Sequence, residues 1–153
     1  MFSKEEEKEF KAAFWAGLNE ELEQRKGLHA NKVNWTSFNT GIKHLYFRMD
    51  MEEGIPKVCM DMQFPNAGIR ELYYEQFLEF KERLDATLEG ETVWLPTFEH
   101  SNTKTIARVC VQNSELSYNN REDWPKIYEF LGENFQKIEA FWSEFSEVFN
   151  QLK

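Results

Sequence analysis

The segment Ile42-Lys43-His44-Leu45-Tyr46-Phe47-Arg48-Met49-Asp50-Met51-Glu52-Glu53-Gly54-Ile55-Pro56-Lys57-Val58-Cys59-Met60-Asp61-Met62-Gln63-Phe64 reads as a β-hairpin. Leu45, Phe47, Met49 and Met51 alternate with His44, Tyr46, Arg48 and Asp50, the period-two signature of a half-buried strand. After a turn at residues 52–56 the alternation resumes, with Val58, Met60, Met62 and Phe64 set against Lys57, Cys59, Asp61 and Gln63. A second hairpin is expected over residues 92–113, from Thr92 to Glu99 and from Thr103 to Gln112, joined by His100-Ser101-Asn102. Proline cannot donate to a ladder, so Pro96 marks its first arm as an edge strand or a bulged one. Trp35 to Phe38 are expected to add a short strand, followed by a turn at Asn39-Thr40-Gly41 in which Gly41 takes a positive φ.

Three helical patterns flank these hairpins. Residues 3–26 carry Phe10, Phe14, Leu18 and Leu22 at four-residue spacing, with Ser3 and Glu6 forming a capping-box pattern and Gly27 as a stop. Residues 67–88 place Ile69, Leu72, Tyr73, Phe77, Phe80, Leu84 and Leu88 on one stripe, with Asn66 as cap. Residues 123–152 start at Asp123, with Pro125 in the first turn, and present Ile127, Leu131, Ile138, Phe141, Phe145, Val148 and Leu152 on one face. Gly132 is a place where this last helix could kink. The predicted fold is α+β in the order α-ββ-α-ββ-α, an antiparallel sheet of four to six strands packed by three long amphipathic helices. Hairpin-then-helix occurs twice, and Lys57-Val58-Cys59-Met60 echoes Arg108-Val109-Cys110-Val111.

Length and composition narrow the function classes. At 153 residues the chain is expected to form a single domain, 1–153. Its 14 Phe, 5 Tyr and 5 Trp are enough to fill a core without metal or disulfide support. Two cysteines exclude a disulfide scaffold, and no apolar run reaches the roughly 18 residues of a membrane span. The start, Met1-Phe2-Ser3-Lys4-Glu5-Glu6, is a charged helix start and not a signal peptide, so the expected setting is cytoplasmic, with Cys59 and Cys110 as reduced strand residues. A redox pair is the alternative reading of those two thiols. The net charge of −9 resides in the helical segments and disfavours a nucleic-acid coat.

Nothing in the sequence carries a phosphate loop, a nucleophile elbow or zinc-ligand spacing. His29, His44 and His100 are scattered, so no metal, cofactor or catalytic residue is assigned. Asp50 with Asp61-Met62-Gln63 approaches the metal-dependent nuclease pattern of an Asp on one strand and Glu/Gln-x-Lys on the next, but Asp61-Met62-Gln63 is followed by Phe64 and not by lysine, so the pattern is incomplete. Tyr46, Arg48, Trp94 and Arg108, together with Lys43 and Lys57, are the candidate partner-binding surface. Phe135, Trp142 and Phe149, on an overhanging last helix, are the candidate dimer contact.

Particular strings add a resemblance. Phe14-Trp15, Asn39-Thr40-Gly41-Ile42-Lys43, Arg70-Glu71-Leu72-Tyr73-Tyr74-Glu75, Tyr118-Asn119 and Asp123-Trp124-Pro125-Lys126-Ile127-Tyr128-Glu129-Phe130 together resemble, in order, the bacterial domain-of-unknown-function family 4268. That family occurs as free-standing proteins and as the C-terminal part of chains whose N-terminal half resembles restriction endonucleases. The resemblance supplies no catalytic residues. The expectation is a non-catalytic cytoplasmic interaction module, homodimeric, with an unidentified protein partner. The alternative is an accessory nucleic-acid-binding module or a degenerate restriction-endonuclease-like protein.

Overall fold

The computed structural model describes residues 3–25, 38–100 and 104–153. The elements run α1 (Lys4–Glu23), β1 (Leu45–Asp50), β2 (Lys57–Met62), α2 (Ala67–Leu78), α3 (Lys81–Thr87), β3 (Glu91–His100), β4 (Lys104–Gln112) and α4 (Trp124–Asn150). The α+β class and the order of hairpins and helices match the sequence reading. The strands form one four-stranded antiparallel sheet in the order β1-β2-β4-β3. The two hairpins therefore meet along β2 and β4, and Cys59 lies opposite Cys110 at the seam. The short echo between the hairpins sits at this junction.

Local chemistry explains most element boundaries. Ser3 Oγ accepts from the Glu6 N–H while Glu6 Oε1 accepts from the Ser3 N–H, so the capping box of α1 is complete. Gly41 has φ 79°, and Gly41 N–H donates to Asn39 Oδ1. This turn is tied to the far end of α4, because Trp142 Nε1 donates to Thr40 O and Lys153 Nζ donates to Gly41 O. β3 is an edge strand whose register shifts between Leu95 and Phe98, which accommodates Pro96 where no ladder donor is needed. Gly27, Trp35 and the 101–102 turn lie outside the described residues.

Four expectations change. The helix expected over 67–88 is two helices, because the backbone turns at Glu79–Phe80, where Phe80 adopts φ −104° and ψ 10°. The break lets Phe80 pack on Phe141, Phe145 and Phe149 while Tyr73, Tyr74 and Phe77 stay buried in α2. Ile69 and Leu72 are exposed, although they belonged to the expected buried stripe. Asp123 precedes α4 without capping it; its carboxylate instead accepts from the Ser117 N–H at 2.9 Å. α4 runs unbroken through Gly132, whose missing side chain makes room for the Arg25 guanidinium.

The main core lies between the sheet and the helices. Leu45, Phe47, Val58, Met60, Met62, Ala107, Val109 and Val111 face Phe14, Leu18, Phe77, Ile127, Leu131, Phe135, Ile138 and Phe149 in one buried cluster. Edge-to-face aromatic contacts dock α1 onto the start of α4: Phe14 meets Tyr118 at 4.8 Å and Trp124 at 5.2 Å. The Tyr128 hydroxyl donates to Phe14 O across the same junction.

Candidate functional site

The residues that alternate away from the helices line the opposite side of the sheet. β1 contributes Tyr46, Arg48 and Asp50, β2 contributes Cys59 and Asp61, and β4 contributes Ile106, Arg108 and Cys110. Cys59, Asp61, Ile106, Arg108 and Cys110 are all buried, so both faces of the two central strands are covered.

Backbone parity fixes how close these side chains come. Gln63 N–H donates to His44 O, and Asn113 N–H donates to Pro56 O. Hydrogen-bonded pairs recur at every second residue of an antiparallel ladder. Stepping along β2 and β4 from Pro56 and Asn113 makes Val58/Val111, Met60/Val109 and Met62/Ala107 hydrogen-bonded pairs. Cys59/Cys110 and Asp61/Arg108 then fall at the non-hydrogen-bonded positions, where facing side chains approach most closely. Stepping along β1 and β2 from His44 and Gln63 turns the backbone of Cys59 and Asp61 toward β1, which agrees.

Arg108 is the centre of the site. Its Nε donates to Asp61 Oδ1 at 2.7 Å and its Nη2 to Asp61 Oδ2 at 3.0 Å, a bidentate fork. Its Nη1 donates to Asp50 Oδ2 at 3.2 Å. The guanidinium carbon lies 4.8 Å from the centre of the Phe98 ring. Arg108 is only 3% exposed. Burial pulls its pKa down, but the hydrogen bonds to Asp61 and the charges of Asp61 and Asp50 outweigh this and raise it, so it is permanently cationic. The two acids that suggested a metal site therefore do converge, and a guanidinium occupies the space between them. Among the described residues no group of three or more His, Cys, Asp or Glu is placed to hold a metal. Among the described residues, Gln63 Nε2 and His100 Nδ1 are buried atoms without a hydrogen-bond partner.

The other candidate residues are dispersed. Arg48 stacks over the exposed Tyr46 ring at 4.7 Å. Trp94 pairs with Val109 and so points to the helical side, where its Nε1 donates to Asp85 at 2.9 Å. Tyr46 and Arg48 thus lie on one side of the sheet, Trp94 on the other, and Arg108 is enclosed. Phe135, Trp142 and Phe149 are all buried in the main core. Asn134, which the sequence reading passed over, is fully buried on α4 and clamps the backbone of Glu89. Its only signal in the sequence is a polar residue on an otherwise apolar face.

The chain matches the domain of unknown function DUF4268 over residues 10–146, which is most of its length. It belongs to this family. No curated protein matches the chain, and neither does any solved structure. The strings that carry the resemblance lie within the matched range and have structural work in this fold. Asn39-Thr40-Gly41-Ile42 is the turn held by Trp142, and Trp124-Pro125 opens α4, with Trp124 Nε1 donating to Tyr118 O at 2.8 Å. Arg70 Nη1 donates to Phe64 O and ties the start of α2 to the end of the first hairpin. No described helix is long and apolar enough to cross a membrane.

Proposed function

We propose that this DUF4268 protein is a non-catalytic, cytoplasmic interaction module that pairs with a second copy of itself through the outer face of α2. One observation carries the reading. Of the four large hydrophobic residues exposed among the described ones, three lie on this helix: Ile69 at 44%, Leu72 at 43% and Leu78 at 39%. Scattered apolar residues are normal on a surface, but Ile69 and Leu72, three residues apart, share one side of the helix and form the proposed interaction face, with Leu78 on the opposite side from Ile69. Leu78 also lines a groove of about 430 Å³ between α2 and the bulge at Pro96–Thr97. Arg70, Glu71 and Glu75 border the same groove, which lies on the side of α2 turned away from Ile69. The cytoplasmic setting is part of the same proposal.

Multi-angle light scattering of the purified protein and of Leu72→Glu tests this. A dimer mass that falls to monomer in the variant, with an unchanged circular dichroism spectrum, supports the reading. A wild-type monomer at high protein concentration, or a dimer indifferent to Leu72→Glu, overturns it. The alternative nucleic-acid module has less support from the geometry, because Arg108 is enclosed by Asp61 and Asp50 and only Lys43, Arg48 and Lys57 remain of the proposed cationic surface.

A further inference from the structure

The seam between the hairpins carries a chemistry that the interaction reading does not use. Cys59 and Cys110 are Cα partners across β2 and β4, at a non-hydrogen-bonded position by the parity argued above. Cα atoms at such a position are about 4.5 Å apart, within the range over which a disulfide can close. The side chains project to the same face of the sheet. Within this pair the roles are unequal. The Cys59 thiol opposite lowers the Cys110 pKa, and although burial opposes this, the Arg108 and Lys57 charges reinforce it. The Cys110 thiol opposite, together with burial and the Asp61 charge, raises the Cys59 pKa. On the same face Cys110 is two residues from the Arg108 cation on β4 and Cys59 two residues from the Asp61 carboxylate on β2, a placement that favours Cys110 as the attacking thiolate and Cys59 as the resolving thiol.

We propose that Cys59 and Cys110 form a reversible cross-strand disulfide on reaction with a hydroperoxide, stapling the two hairpins together. The Cys110 thiolate attacks the terminal peroxide oxygen. The O–O bond breaks, the alkoxide leaves and takes a proton from solvent, and Cys110 becomes a sulfenic acid. The Cys59 sulfur then attacks the Cys110 sulfur; the S–O bond breaks, and the hydroxyl leaves as water with the Cys59 proton. Two thiols lose two electrons in total, and one hydroperoxide is reduced to an alcohol and water. Both sulfurs are buried, so the reaction waits on local opening of the sheet. The rate should therefore stop rising with peroxide concentration once opening becomes limiting.

The test is to treat the fully reduced, full-length protein with hydrogen peroxide and count thiols after quenching and denaturation. Non-reducing peptide mapping then assigns any bridge. The expected result is paired loss of both thiols, one intramolecular Cys59–Cys110 link, an unchanged circular dichroism spectrum and full reversal by dithiothreitol. Cys59→Ser should stop at a sulfenic acid on Cys110 that dimedone traps. Retention of both thiols by the native protein, under conditions that oxidise the urea-unfolded chain, would overturn the proposal. So would a bridge formed only between molecules. The wild-type thiol count decides the matter even if the serine variant fails to fold.

Discussion

Arg108 and Asp61 face each other across the central seam of the sheet, joined by two parallel hydrogen bonds of 2.7 and 3.0 Å in a site closed to solvent. Their strands come from different hairpins, so the pair couples the two halves of the fold. A buried ion pair of this kind is weak evidence for stability, since desolvation offsets much of the attraction. It does define register. A slip of β2 against β4 by one residue would turn Asp61 into the apolar core on the other side.

Removing one partner should be far more damaging than removing both. Arg108→Met leaves the Asp61 carboxylate buried and uncompensated, at a cost of about 3–5 kcal/mol. The double variant Asp61→Asn with Arg108→Met should recover most of that loss, because neither charge then remains at the centre. Urea unfolding of the two single variants and the double variant measures this cycle directly. Equal losses for Arg108→Met and the double variant would refute the coupling.

Asn134 is the second buried polar position with a definite expectation. Its Oδ1 accepts from the Glu89 N–H at 2.8 Å, and its Nδ2 donates to Glu89 O and Phe130 O, both at 3.0 Å. It thereby closes the backbone that leads from α3 into β3. Asn134→Ala should cost about 1–3 kcal/mol for each Glu89 group left unpaired. Asn134→Asp should be no rescue, because a carboxylate can accept from the Glu89 N–H but cannot donate to Glu89 O. Denaturant midpoints of both variants check this.

The sequence carried the strands more faithfully than the site. Alternation from Leu45 to Phe64 and the position of Pro96 follow from local rules. The burial of Asp61 and Arg108 depends on which hairpin edges meet, a long-range choice. One signal was available: antiparallel alignment of the two echoing strings on Cys59 and Cys110 puts Asp61 opposite Arg108. Trp94 lies on the helical side because β3 pairs through Val109, which strand pattern alone does not disclose. The break at Phe80 also escaped, since a continuous apolar stripe fits one long helix and two short ones equally well. Here the packing of Phe80 against α4 selected the second.

Asp85 predicts a pH dependence. Its carboxylate accepts from Lys81, Thr92 and Trp94. Partial burial raises its pKa, but these three hydrogen bonds outweigh that and lower it below the ordinary 3.8. A depressed carboxyl pKa stabilises the fold above the unfolded value, and this contribution is lost as pH falls through the folded value. Asp85 is partly exposed, so solvent screening limits the contribution to less than about 1 kcal/mol. Asp85→Asn should therefore flatten the acid limb of the stability curve below about pH 4 while leaving its slope near neutrality unchanged. Thermal unfolding across that window tests the sign; a steeper acid limb in the variant would contradict it.

Phe149 and Leu72 separate folding from self-association. Phe149 is fully buried and touches Phe77 at 4.5 Å and Trp142 at 5.1 Å, so it belongs to the packing of α2 and α4 within one chain. Phe149→Ala should remove about 3–5 kcal/mol of stability, from lost burial and the cavity left behind. Leu72 has nothing comparable to lose in the isolated chain, since 43% of its surface is exposed. Leu72→Glu should shift the unfolding midpoint of the monomer little and act on association alone. Light scattering and urea unfolding of both variants at matched concentrations distinguish the two effects. A dimer that dissociates in Phe149→Ala while the monomer keeps its wild-type midpoint would move the contact from α2 to α4. It would also require the end of α4 to leave the core in the free subunit, which hydrogen exchange at residues 145–150 would register as lost protection.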